Sequence, residues 1–221
     1  MEAIAIDGPA GAGKTSVARG VAERLGWRCL DTGAMYRALA LAALERKMDL
    51  ARPPDEAELA RLAAAVRIEF APPDRVLLDG RDVTAAIRAP EVTRAIRPIA
   101  DSPAVRERMR ERQRELAAGG RVVVEGRDIG TFVLPRARWK FFLEAAPEER
   151  VRRRAAELAA PGRALDAAAP AALAEELARR DAEDERRTIA PLYPAADAVR
   201  LDTTGLTLEE TIDAIVKRVR P

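Results

Sequence analysis

The stretch "AIAIDGPAGAGKT", Ala3 to Thr15, carries the reading of the fold. Its first five residues form a short apolar run that reads as a buried strand and ends in Asp7. "GPAGAGKT", Gly8 to Thr15, then matches the pattern G-x-x-x-x-G-K-[ST]. "KTSVARGVAERL" continues as a helix. Strand, glycine loop and helix in that order are the context that gives the pattern its meaning. Gly8, Gly11 and Gly13 let the backbone turn tightly and aim N–H groups inward, and the helix N-terminus adds a field that favours anions. Lys14 supplies a compact positive charge, and Thr15 offers a hydroxyl suited to Mg²⁺. Only four residues of the chain are lysines, against many arginines, so Lys14 does not follow from bulk composition.

Four further apolar runs read as strands: "RCL" (28–30), "RVVVE" (121–125), "WKFFLEA" (139–145) and "AVRLD" (198–202). Helical patterns separate them. "SPAVRERMRERQREL" has Ser102 as N-cap and Pro103 at the first helical position. "PEERVRRRAAEL" follows the fourth strand, and "TLEETIDAIVKRV" opens with a capping box of Thr207 and Glu210. Short apolar strands alternating with helices imply an α/β fold, a five-stranded parallel sheet covered on both faces. The alternation breaks within roughly 66–84, where "VRIEF", "RVLLDGRDV" and the turn signals "PPD" and "DG" imply a small antiparallel ribbon insert. "LAAPGRALDAAAP" (158–170), broken by Pro and Gly, reads as a mobile connection.

The 221 residues are 48% hydrophobic, enough for a sizeable core. A third are charged, yet the formal net charge is only +2, which argues against a dedicated nucleic-acid binder. Histidine is absent, so histidine acid–base chemistry and histidine metal sites are excluded. The single cysteine, Cys29, excludes an intramolecular disulfide and favours a reducing compartment. No apolar run reaches a membrane-spanning length, and the N-terminal segment lacks the features of a signal peptide. A cytoplasmic monomer with no membrane or nucleic-acid partner is the expectation.

Arginines then gather near strand ends. "DTGAMYR" (31–37) follows the second strand, where Arg37 is placed to hold a second phosphate. Arg127 follows the third. "ERVRRR" puts Arg150, Arg153 and Arg154 on one helical face, with Arg152 opposite. In "ALAEELARRDAEDERRTIAP", Arg180, Asp184 and Arg187 form a stripe beside Leu173 and Leu177, whereas Arg179, Glu183 and Arg186 form a solvated row. Within the first stripe, Arg180 and Asp184 either pair with each other or face an anion. No Asn-Lys-x-Asp stretch reads guanine, and "VVVEGRD" does not supply the paired acids of a motor ATPase. Two phosphate sites imply transfer between phosphates. A monophosphate oxygen is already anionic near neutral pH, so no side chain need remove its proton. Alignment and charge neutralisation suffice, and a chain without histidine can provide both.

"AIDGPAGAGKTSVAR", "LDTGAMYRALALAAL", "EGRDIGTFVLPRA", "FFLEAAPEERVRRR" and "RRDAEDERRTIAPLYPAADA" together resemble the bacterial cytidylate kinase family, over nearly the whole chain. The resemblance implies a P-loop nucleoside monophosphate kinase fold. It would have a core (1–30, 103–146 and 170–221), a monophosphate-binding region with the antiparallel insert (31–102) and a lid (147–169). The implied reaction moves the γ-phosphate of ATP to CMP or dCMP, with Mg²⁺. Gly8, Pro9, Ala10, Gly11, Ala12, Gly13, Lys14, Thr15 and Ser16 would then cradle ATP, and Arg150, Arg153 and Arg154 would close over its phosphates. Arg37, Arg127 and Arg187 would hold the CMP phosphate, with Lys14, Arg127, Arg187 and Arg153 as the catalytic cations. Arg180 and Asp184 would face the sugar, Arg106 and Asp128 would read the cytosine, and Thr32 would lie near the base. Thr15 and Glu125 would serve the metal, partly through water.

Base reading has a physical check. Cytosine shows an amino donor and two acceptors, N3 and O2. Asp128 can accept from the amino group, and Arg106 can donate to ring acceptors. Uracil reverses two of these positions, which should cost roughly 1–3 kcal/mol. Three positions depart from the family pattern. Glu125 stands where Asp is common, and Thr32 where Ser is frequent. Arg97 stands where a small hydroxyl residue usually helps to bind the base, so that role is not carried over to it.

Overall fold

In the computed structural model the described residues are 1–50, 55–72, 74–159 and 170–220. In chain order the elements are β1 (Ala3–Asp7), α1 (Lys14–Leu25), β2 (Arg28–Asp31), α2 (Thr32–Glu45), α3 (Glu56–Ala65), β3 (Ile68–Ala71), β4 (Arg75–Leu78) and β5 (Arg81–Asp82). There follow α4 (Pro90–Asp101), α5 (Pro103–Ala117), β6 (Val122–Glu125), β7 (Trp139–Glu144), α6 (Pro147–Ala159), α7 (Pro170–Glu185), β8 (Val199–Asp202) and α8 (Leu208–Val219). Most of the connection expected over 158–170 lies outside the described residues.

The chain divides into two compact units, Met1–Cys29 with Gly119–Pro221, and Leu30–Ala118. The first is built on a five-stranded sheet of order β2-β6-β1-β7-β8. β1 pairs in parallel with β6 and with β7, and β7 pairs in parallel with β8. This is the parallel α/β sheet that the alternation of strands and helices predicts. Each expected strand is present, with ends shifted by no more than one residue. Every residue of β1 and β6 is buried, which explains why both read as continuous apolar runs. Ile4, Ile6, Val123, Phe141 and Leu143 from the sheet pack with Val17, Val21 and Leu25 of α1 and Ile212 and Ile215 of α8. β8 is more exposed, as befits an edge strand.

Local chemistry sets the helix ends. Gly13 has φ 86°, a conformation that costs a residue with a Cβ, and it caps α1. Thr207 and Glu210 make both hydrogen bonds of the expected capping box on α8. The register of the central strands places the site. Ile6 of β1 is level with Glu125 of β6, so Asp7 and Glu125 emerge together at the carboxyl edge of the sheet, where α/β folds bind ligands.

The second unit packs α2, α3, α4 and α5 with the antiparallel ribbon β3-β4-β5. Leu59, Leu62, Ile87, Ile99 and Val105 are among its buried residues. Ser102 caps α5 by accepting from Val105 N at 3.2 Å, with Pro103 at the first helical position, as the sequence predicts. The ribbon pairs Phe70 with Val76 and Leu77 with Asp82. Its "DG" turn, Asp79–Gly80, has φ of 50° and 80°, the left-handed pair that a tight hairpin requires.

Candidate active site

The phosphate loop leaves β1 at Gly8, whose φ is 148°. A Cβ there would collide with the carbonyl oxygen of Leu143, so only glycine fits. Lys14 is 5% exposed, and its Nζ donates to the Pro9 carbonyl at 2.7 Å. Burial, then the positive charge of Arg127, push Lys14 down to about 7, although Glu125 and Asp184 favour its charged form. Thr15 Oγ1 donates to Glu125 Oε1 at 2.7 Å, which joins the loop to the end of β6. Ser16 follows on the exposed side of the first turn of α1.

Beyond β6 the chain runs through Gly126, Arg127 and Asp128 into a π-helical turn, Ile129–Val133. The buried Asp7 carboxylate shapes this turn. Its Oδ1 accepts from Ile129 N at 2.8 Å and its Oδ2 from Gly130 N at 2.7 Å. Burial lifts Asp7 to about 6 despite those two hydrogen bonds. The Asp128 carbonyl accepts from Phe132 N and Val133 N, which anchors the start of the turn.

Arg127 pairs with Asp184 of α7, Nε to Oδ2 at 2.8 Å, and its Nη1 donates to the Gly126 carbonyl at 3.3 Å. Asp184 also holds Arg187, Nη2 to Oδ1 at 2.6 Å. Burial alone would lift Asp184, but Arg127 and Arg187 hold its carboxyl below the usual range. The same Asp184 offsets the burial of Arg127 and keeps that guanidinium firmly charged. The simple Arg180–Asp184 pair that helical spacing allows is thus not the arrangement found. Arg180 meets Glu176 at 3.6 Å, and burial, Arg127 and Arg154 all work against its charge. α7 buries Leu173, Leu177, Asp181 and Asp184 and leaves Arg180 half-buried; of the row expected to be solvated, Arg179 and Arg186 are exposed and Glu183 is half-buried.

α6 brings its arginines onto the loop. Arg150 Nη1 donates to the Ala10 carbonyl at 3.1 Å and pairs with Asp181. Arg153 donates to the Ala12 carbonyl at 3.3 Å, to Thr203 Oγ1 at 2.8 Å and to the Thr203 carbonyl at 2.7 Å. Arg154 pairs with Glu157 at 2.8 Å, and Arg152 is exposed. Lys14, Thr15, Glu125, Arg127, Asp128, Arg150, Arg153, Arg154, Arg180, Asp184 and Arg187 all belong to the first unit.

Thr32, Arg37 and Arg106 belong to the second. Thr32 is buried at the start of α2, where Asp31 caps the helix by accepting from Ala34 N at 2.8 Å. Arg37 Nη1 donates to Thr93 Oγ1 at 2.8 Å. Arg106 is buried, donates to the Ala100 carbonyl at 3.1 Å, and lies 5.8 Å from the centre of the Tyr36 ring. Arg97 is exposed on α4 and meets Asp101 at 3.4 Å.

Sequence reasoning missed Asp7, Asp181 and Thr203. Asp181 had a signal, because it sits four residues after Leu177 on the inward stripe of α7, where an acid is costly unless paired. Asp7 had one too, as the one charged residue of an otherwise apolar strand. Thr203 had none. Among the described residues no group of three or more Cys, Asp or Glu is placed to hold a metal by itself. The Thr15 hydroxyl beside the Glu125 carboxylate still offers two hard oxygen donors next to the loop, a donor set that suits Mg²⁺ once phosphate oxygens are added.

A glycine loop on the central strand of a five-stranded parallel sheet, with a buried lysine and a cluster of arginines at the same edge, defines a P-loop kinase. An uncharacterized protein of known structure from Eubacterium ventriosum ATCC 27560 has the same fold, with a TM-score of 0.54 at 11% identity, covering 99% of this chain and 98% of that one. The chain belongs to the cytidylate kinase family, whose model matches residues 4–221. The cytidylate kinase of Desulfitobacterium hafniense (strain Y51) is 49% identical over 213 residues, 96% of this chain and 90% of that protein. The cytidylate kinase of Pelotomaculum thermopropionicum is 50% identical over 220 residues, 98% and 95% of the two chains. No helix among the described residues is long and apolar enough to cross a membrane.

Proposed function

We propose that this chain transfers the γ-phosphate of ATP to CMP or dCMP, giving CDP or dCDP. One observation carries the reading beyond family membership. After burial, the charge of Arg127 is the next largest influence that weakens the protonated form of both Lys14 and Arg180. With one carboxylate, Asp184, shared between the guanidiniums of Arg127 and Arg187, this corner of the site is short of negative charge. Phosphate anions would complete it.

In this reading the loop Gly8–Ser16 and the Lys14 ammonium hold the β- and γ-phosphates, the loop through its N–H groups other than that of Ala10, which serves Asp181, and Pro9, which has none. Arg150, Arg153 and Arg154 neutralise the donor side. Arg127 and Arg187, which share Asp184, grip the acceptor phosphate, a role that the family resemblance also gives to Arg37, and aim one of its oxygens at the γ-phosphorus. That oxygen is already anionic, so the new P–O bond forms as the bond to the β-phosphate breaks, with no proton to remove. Lys14, Arg127, Arg187 and Arg153 neutralise charge as it shifts to the leaving oxygen. Thr15 and Glu125 would hold Mg²⁺, partly through water, and the ion would supply further charge neutralisation between the phosphates. Thr32, Arg106 and Asp128 select cytosine, and Arg180 and Asp184 face the sugar. A soluble cytoplasmic monomer acting on these small molecules fits the reading.

An acceptor panel tests it. With Mg²⁺-ATP as donor, CMP and dCMP are expected to give the highest kcat/KM, and UMP, AMP and GMP less. Best activity on AMP or GMP would overturn the cytosine assignment. Nucleotide hydrolysis without any acceptor dependence would overturn the kinase reading.

A further inference from the structure

Asp181 has no part in the transfer described above, yet it is buried at the loop. Its Oδ1 accepts from the backbone N–H of Ala10 at 3.0 Å. Its Oδ2 takes the guanidinium of Arg150, which also donates to the Ala10 carbonyl at 3.1 Å. Both polar groups of the Ala10 backbone are therefore held by one ion pair that joins α6 to α7. The packing agrees: a Cβ on Gly11 would come within 3.0–3.1 Å of the Arg150 backbone and its Cβ, so α6 lies directly against the loop. Arg153 adds a hydrogen bond to the Ala12 carbonyl at 3.3 Å. The carbonyls of Ala10 and Ala12 thus both face the arginines of α6.

We infer that Asp181 is a positioning residue for the phosphate loop, holding its Ala10 turn and pinning Arg150 beside it so that the loop is set before the donor nucleotide arrives. An acid at this point also balances Arg150, so the brace adds no net charge to a site already rich in cations. A preset loop avoids ordering cost on binding, so loss of the brace weakens the donor and spares the acceptor. The inference rests on the reading of this loop as the ATP site.

Three proteins test it: wild type, Asp181→Ala and Asp181→Asn. The Ala variant removes both contacts. The Asn variant keeps an oxygen to accept from Ala10 N–H but loses the charge that pairs with Arg150. Steady-state kinetics with each substrate varied, and calorimetric binding of ATP alone, are read beside the thermal midpoint. Asp181→Ala is expected to raise KM for ATP and weaken ATP binding by about 10-fold or more, with KM for CMP changed less than about 2-fold. Asp181→Asn is expected to recover a clear part of that loss. Equal ATP binding by wild type and Asp181→Ala would overturn the inference alone. So would a parallel rise in both KM values with a lowered midpoint, which marks a merely structural residue, or an Asn variant as impaired as Ala. Wild-type protein that binds no ATP would overturn the reading of the loop and the inference with it.

Discussion

Lys14 and Asp7 are both buried, and burial shifts their proton affinities in opposite senses. Lys14 falls from 10.5 to about 7, so between those values the unfolded chain binds a proton that the folded protein lacks. Wild-type stability therefore gains from Lys14 as pH rises through that window, and carries the full cost of the buried charge below pH 7. Lys14→Met should be more stable than wild type at pH 6, by a margin that shrinks steadily toward pH 10 in urea unfolding. A margin independent of pH would contradict the burial of a charged amine. Asp7 works the other way. Its rise from 3.8 to about 6 makes stability increase as pH falls from 6 toward 4. Arg187 makes a different case. Its loss leaves Asp184 still paired with Arg127, so Arg187→Ala should keep its fold. Its kcat with CMP should drop by about 10²-fold or more. Near-normal turnover would remove Arg187 from the phosphate site.

Glycines in β1's loop and in α1 show how the surroundings decide the outcome of one substitution. At Gly8 an added methyl meets the Leu143 backbone, which cannot move without breaking the sheet. Gly8→Ala is expected to cost about 1–3 kcal/mol in urea unfolding. At Gly20, inside α1, the added methyl meets the Ile212 side chain on α8, its Cδ1 tip most closely and its Cγ1 at 3.1 Å. That tip can turn aside, and the helix gains about 1 kcal/mol of propensity. Gly20→Ala should stay within about 1 kcal/mol of wild type, and a loss as large as that at Gly8 would mean that the α1–α8 contact is far more rigid than side-chain packing suggests. Helix caps follow the same local logic. Ser102, Thr207 and the Asp79–Gly80 turn were all readable beforehand, because each needs only a few neighbouring residues.

Ligand binding acts on the stability of the entire chain. CMP at about 100 times its Kd adds about 2.7 kcal/mol to unfolding. For a chain of this size that is a thermal shift of roughly 5–10 °C. In the proposed reading Asp128 and Arg106 match the donor and acceptor pattern of cytosine, so UMP at the same concentration should give a clearly smaller shift. Equal shifts would leave base selection unexplained by these two residues.

The order of strands and helices, the phosphate loop and the inward stripe of α7 were all legible along the chain. Each depends on a period of two or 3.6 residues, or on a glycine at a defined step, and such signals are written within a dozen positions. The partners of the charged groups were not. Asp184 lies 57 residues from Arg127 and pairs with it in preference to Arg180 on its own helix. Asp181 reaches Ala10 across 171 residues, and Asp7 reaches Ile129 across 122. An arginine in a sequence announces a charge. Which carboxylate shares that charge, and whether water still reaches it, follows from how α6 and α7 pack against the loop and how β6 is inserted beside β1. Burial then sets the direction in which each group's affinity for its proton moves, and distant packing alone sets burial.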